Sequence, residues 1–131
     1  MDIVETWRED LRQVLADEPV TVSDLRIGVF YTAAQLSSGH VGVAFTPRNM
    51  EETVCCPRTL AAAPAAGQLV GQDAWSLAQD GSSRFALQRA VGIAVLNALS
   101  ALAMTRHPLP GARILPDMDA LGTVEIQPAD T

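Results

Sequence analysis

The chain contains no lysine. All nine basic residues are arginines, set against fifteen acids, and the formal net charge is −6. A phosphate backbone is bound by clustered cations. Nine scattered arginines on an acidic chain therefore argue against a nucleic-acid partner. Cysteine is nearly absent too. The two present, Cys55 and Cys56, are neighbours, which is no disulfide framework, and a reducing cytoplasmic setting is expected. The N-terminus lacks a basic stretch followed by an apolar core, so no secretory leader is read there. Gly67–Gly71 lacks the lysine and Ser/Thr of a phosphate-binding loop.

Long apolar runs are scarce as well, with one exception. Phe85–Met104 is apolar but carries Gln88, Arg89, Asn97 and Ser100, and much of its bulk is alanine. A membrane span needs about 20 predominantly apolar residues and pays for a central Arg. A buried core helix is the better reading, and no membrane partner is expected. With 131 residues, 48% of them hydrophobic and 18% charged, the chain suits one globular domain with a substantial core.

What is present is concentrated in Val29–Arg48. Two apolar runs, Val29–Leu36 and Val41–Thr46, flank Ser37-Ser38-Gly39-His40. Val41, Val43 and Phe45 alternate with Gly42, Ala44 and Thr46 at strand period, and Ser-Gly supplies a turn. This predicts a β-hairpin bearing the polar set Tyr31, Thr32, Gln35, Ser37, Ser38, His40, Thr46 and Arg48. Before it, Val20, Val22, Leu25, Ile27, Val29 and Tyr31 alternate with a break at Ser23-Asp24. Two strands, or one long bent one, are expected before the return at Val41–Thr46, which makes a three-stranded antiparallel meander the expected sheet.

Helices flank the strands. Ile3, Trp7, Leu11, Val14 and Leu15 define one face of a helix over Asp2–Ala16, with Asp2 and Glu5 fitting a capping box and Pro19 closing it. Pro47–Gly71 is broken by prolines and glycines and reads as a loop-rich connection. Gln72–Gln79 predicts a short helix ended by a left-handed cap at Asp80-Gly81. Ser82 or Ser83 then caps the longest helix, whose stripe is Val91, Ala94, Val95, Ala98, Leu99 and Leu102. The domain is taken as residues 1–105. Residues 106–131 form a Pro-rich connector, with one helical turn at Asp117–Leu121 and a short strand at Val124–Ile126.

The chemistry-bearing residues are few. His40 sits at or beside the turn, where a histidine is usually just exposed and polar; its functional reading is a ligand or general base near neutral pH, and nothing nearby in sequence completes a triad. Cys55-Cys56 lacks the paired spacing of a zinc finger and reads first as buried or half-buried structural cysteines, with metal chelation through soft thiolates or redox chemistry as the alternatives. His40, Met104 and His107 are the other soft or borderline ligands worth considering. Asp117-x-Asp119 reads as a solvated turn, and Asn97 as a side chain satisfied by its surroundings.

The segment GVFYTAAQLSSGHVGVAFTPR, then Cys55-Cys56, then AGQLVG at 66–71, then RAVGIAVLNALS at 89–100 resembles a family of unknown-function domains. In that family the domain precedes a Rossmann-like domain labelled "putative heavy-metal chelation". The resemblance implies an α+β fold of enolase N-terminal-like architecture, a three-stranded meander packed against helices. It implies a site near the interface with the second domain. Tyr31, Thr32, Gln35, Ser38 and His40 would line a ligand there, and Cys55 and Cys56 would bind a soft transition or heavy metal.

Three functions are therefore weighed. The first is an accessory module of a metal-chelating protein, working with a Rossmann-like domain in cis or trans. The second is a docking or homodimerisation domain with no ligand of its own. The third, independent catalysis, has least support, since lysine, a triad and a carboxylate cluster are all missing.

Overall fold

The computed structural model describes residues 2–47, 67–119 and 122. Helix α1 (Ile3–Val14) is followed by strands β1 (Val22–Ile27), β2 (Tyr31–Leu36) and β3 (Val41–Phe45). A short helix α2 (Ala74–Ala78), a 3-10 turn over Gln79–Ser82 and the long helix α3 (Ala86–Arg106) complete the order. The strands form one antiparallel sheet in the order β1-β2-β3, so the expected α+β meander is present. Its predicted break at Ser23-Asp24 is a bulge. There the Ser23 hydroxyl donates to the carbonyls of Gln35 and Leu36, replacing part of the interrupted ladder.

Helix α1 starts on Asp2, whose carboxylate accepts the Val4 amide at 3.1 Å. That bond and a second from Ser82, the larger influence, hold the Asp2 carboxyl below its ordinary range. The helix closes before Pro19, with Ala16 and Asp17 at φ of 50° and 53°. The buried face differs from the expected one by a small rotation. Val4, Trp7, Leu11 and Leu15 meet the core, whereas Ile3 and Val14 are exposed. The series 4, 7, 11, 15 sits closer to one stripe at 3.6 residues per turn.

Helix α3 is the centre of the domain. Ala94, Val95, Leu96, Ala98 and Leu99 are fully buried, and each large side chain among them contributes about 1.5–3 kcal/mol of hydrophobic stabilisation. By length and composition α3 could cross a membrane; in this fold 56% of its most apolar window is buried inside the domain. Close approach is set by Gly42. A Cβ there would lie 2.1 Å from the Ala94 carbonyl oxygen and 2.2 Å from the Ala98 amide nitrogen. Asn97 completes the contact by donating to the Val43 carbonyl at 2.8 Å.

Two local expectations change. The left-handed cap at Asp80-Gly81 is replaced by the 3-10 turn, with Gly81 buried. The reason is packing: a Cβ on Gly92 would meet the Gly81 nitrogen at 2.0 Å, so both positions must be small. Helix α3 begins at Ala86, with Phe85 as its cap residue. Ser83 stands just ahead of it, accepting the Phe85 amide and donating to Gln88. At the other edge of the sheet, the chain at Gly71–Asp73 pairs with Thr21 and Val22. Cys55, Cys56, Arg48, most of Pro47–Gly71 and the strand expected at Val124–Ile126 lie outside the described residues.

Candidate functional site: the hairpin turn and the end of the long helix

The β2–β3 turn closes with the Leu36 amide on the His40 carbonyl at 2.9 Å and the Gly39 amide on the Leu36 carbonyl at 2.8 Å. Gly39 has φ of 86°, a conformation that side chains disfavour, so glycine belongs there. The tight loop turns Ser38 and His40 toward each other. Ser38 Oγ lies 3.0 Å from His40 Nδ1. The other ring nitrogen, Nε2, lies 3.1 Å from Thr105 Oγ1 in the last turn of α3. Helix α3 reaches this point because it runs antiparallel to β3. Ala86 and Ala90 stand near Phe45 and Pro47, Ala94 and Ala98 cover Gly42, and Thr105 arrives at His40.

The expected ligand set is only partly brought together. Ser38 and His40 converge, and the Gln35 amide reaches the Gly39 carbonyl at 3.4 Å on the flank. Tyr31 and Thr32 do not join them. Tyr31 stands four residues from Gln35 along β2, about 13 Å away at strand rise. It is 63% exposed and lies opposite Phe45 on the outer face. Thr32 points to the inner face, is fully buried, and its hydroxyl meets that of Thr46 at 2.9 Å. Adjacent strand residues face opposite sides, so one ligand cannot contact both side chains from the same face. Thr32 satisfies a core partner.

Thr105 was not anticipated. It lies 65 positions from His40, and its only sequence signal is its place at the end of a helix whose small residues must dock on Gly42. Its hydroxyl also donates to the Ala101 carbonyl at 2.9 Å. The arrangement Ser38–His40–Thr105 resembles a hydroxyl–imidazole–acceptor relay. Thr105 supplies no charge to stabilise an imidazolium, as the carboxylate of a hydrolytic triad does. It orients the ring, as the second-shell partner of a metal-bound histidine does.

Among the described residues no three His, Cys, Asp or Glu side chains converge on a metal position. His40 is the one such side chain tied into the turn cluster, and His107 and the exposed Met104 lie in the same end of α3 and just beyond. The donor chemistry of imidazole with the Cys55 and Cys56 sulfurs suits borderline to soft metals. Concave surface occurs elsewhere. A recess of about 300 Å³ lies between α1 and the 3-10 turn, at Val4, Glu5, Arg8, Ala78, Gln79 and Ser82. A depression of about 230 Å³ lies at the far end of the hairpin, beside Phe45, Pro47, Arg89 and Ile93. Neither includes His40.

Comparison with known proteins defines a class. Residues 9–100 match the unknown-function family DUF4213, described as "putative heavy-metal chelation", and the chain belongs to that family. No curated protein matches it. Among solved structures it is similar to a protein of unknown function from the DUF364 family of Desulfitobacterium hafniense, with 19% identity and a TM-score of 0.48. That match covers 72% of this chain and 35% of the other, so the chain spans about a third of that protein's length.

Proposed function

We propose that this domain is an accessory metal-binding module, with the β2–β3 turn as its ligand-facing element. The observation that carries the reading is the convergence of Ser38, His40 and Thr105 at one end of the fold, in a chain whose family is described by heavy-metal chelation. Thr105 gives the imidazole the outer support that ligating histidines have. Cys55 and Cys56 are the soft donors that would complete the set, and a soft transition or heavy metal is the ion they select. A Rossmann-like domain, in the same chain or another, supplies the remainder of the site. The enolase N-terminal-like resemblance and a cytoplasmic setting, where adjacent thiols stay reduced, belong to the same reading.

Native mass spectrometry of the reduced protein, before and after a chelator, tests it. One soft metal per chain, lost on chelation and on Cys55→Ser/Cys56→Ser, is the expected result. A metal-free protein after incubation with Zn²⁺ or Cd²⁺ overturns it.

A second reading, docking or homodimerisation, is favoured by the outer face of the sheet. Tyr31, Val41, Val43 and Phe45 are all about half exposed or more. A contiguous apolar surface of this kind marks an interaction site. Light scattering on the eluting protein distinguishes the two: a metal-free dimer dissociated by Val43→Asp supports docking, and a monomer with bound metal rejects it.

A further inference from the structure

The turn cluster places a hydroxyl oxygen against each ring nitrogen of His40, Ser38 Oγ at Nδ1 and Thr105 Oγ1 at Nε2. Thr105 has one hydroxyl proton, and Oγ1 directs it to the Ala101 carbonyl at 2.9 Å. With that proton on the Ala101 carbonyl, the same oxygen is an acceptor toward His40, and the contact of 3.1 Å is a hydrogen bond when Nε2 carries the proton. In a neutral imidazole the other nitrogen then holds a lone pair. Nδ1 accepts from the Ser38 hydroxyl at 3.0 Å. The Ser38 proton can rotate away, since Ser38 sits on an exposed turn, whereas Thr105 is bound into a helix.

We infer that Thr105 is the positioning residue for His40, locking the Nε2–H tautomer so that Nδ1 is the atom offered to an incoming cation. This rests on the metal-binding reading above and deepens it. The cation replaces the Ser38 proton at Nδ1, and Ser38 Oγ, freed of its bond, turns a lone pair toward the same point. A metal approaching Nε2 instead must break the tie to α3. The site therefore has a direction: the ion sits on the Ser38 side of the ring, away from the helix.

The experiment is long-range proton–nitrogen NMR of the histidine rings in the full chain, reduced and at a pH where the imidazoles are neutral. His107→Gln leaves His40 as the only histidine. The expected wild-type spectrum shows a single Nε2–H tautomer. Thr105→Val gives a mixture of tautomers, and Thr105→Ser restores the lock. Added Cd²⁺ shifts Nδ1 and leaves Nε2–H protonated, and Thr105→Val weakens that titration about tenfold. A Nδ1–H or mixed tautomer in the wild type overturns the inference, as does a Thr105→Val spectrum identical to wild type. Cadmium on Nε2 overturns it too. A locked ring that Cd²⁺ never perturbs overturns the metal reading beneath it, while the assignment of Thr105 as the positioning residue stands. Because Thr105 is exposed, its variants are expected to fold, and retained amide dispersion in the same spectra verifies this.

Discussion

The two faces of the sheet are built from the same strands in opposite ways. Along β3 the residues facing α3 are Gly42 and Ala44, while those facing outward are Val41, Val43 and Phe45. Along β2, Thr32, Ala34 and Leu36 face in, while Tyr31 and Gln35 face out. A one-layer sheet on a helix ordinarily places large apolar side chains inside and polar ones outside. Along β3 the bulk is moved from the inner to the outer face, while Val22 and Leu36 keep large side chains inside at the far side of the sheet. The inner face gives up volume so that the α3 backbone can come within van der Waals contact of Gly42. The outer face keeps apolar bulk that the domain's own described residues do not cover, which is a reason to look for an occupant there.

The contrast makes its strongest prediction at Gly42. Gly42→Ala forces a methyl against the backbone of Ala94 and Ala98, which cannot rotate aside. A loss of about 3 kcal/mol in chemical denaturation is expected. A neutral result means that α3 does not lie against β3 as described. Next comes the buried hydroxyl pair on the inner face. Thr32→Val strands the Thr46 hydroxyl and should cost about 1–2 kcal/mol, whereas Thr32→Val/Thr46→Val together should recover most of that loss. A double-mutant cycle reads the coupling, and additive costs would show that the two hydroxyls do not depend on each other.

The outer face should behave oppositely. Phe45→Ser, at a position 60% exposed, is expected to change monomer stability by about 0.5 kcal/mol or less. A loss well beyond 2 kcal/mol would mean that the face is covered after all, and the comparison of the two faces would fail. An effect of similar size lies away from the sheet. Burial raises the Asp80 carboxyl above its usual value of 3.8. Its charged form is therefore disfavoured in the folded state, and the penalty is present above the unfolded pKa and vanishes below it. Asp80→Asn should stabilise the protein by about 0.5 kcal/mol near pH 7 and give no gain in strongly acidic buffer. Thermal melts at the two pH values check the sign.

Much of this was legible from residue order alone. Period-two alternation predicted the meander, Ser-Gly predicted the turn, and the apolar stripe Val91–Leu102 predicted the central helix. Those signals are local, because hydrophobic spacing and turn conformation are properties of neighbouring residues. The rotation of α1 and the replacement of a left-handed cap at Gly81 by a 3-10 turn escaped that reading. Both are settled by what packs across from them, Val4 and Trp7 on the core and Gly92 against Gly81.

The candidate site divides along the same line. Ser38 and His40 were placed together in the turn by the sequence, and their hydroxyl–imidazole contact follows from the tight loop at Gly39. Tyr31 and Thr32 were grouped with them by the family resemblance of the hairpin, and the pleat of β2 separates the two side chains. Thr105 could come only from the tertiary structure. The sequence by itself determined the strands, the turn and the apolar helix, since each is fixed by interactions within a few residues. Only packing decided that α3 runs antiparallel to β3 over Gly42, and that geometry carries Thr105 to His40.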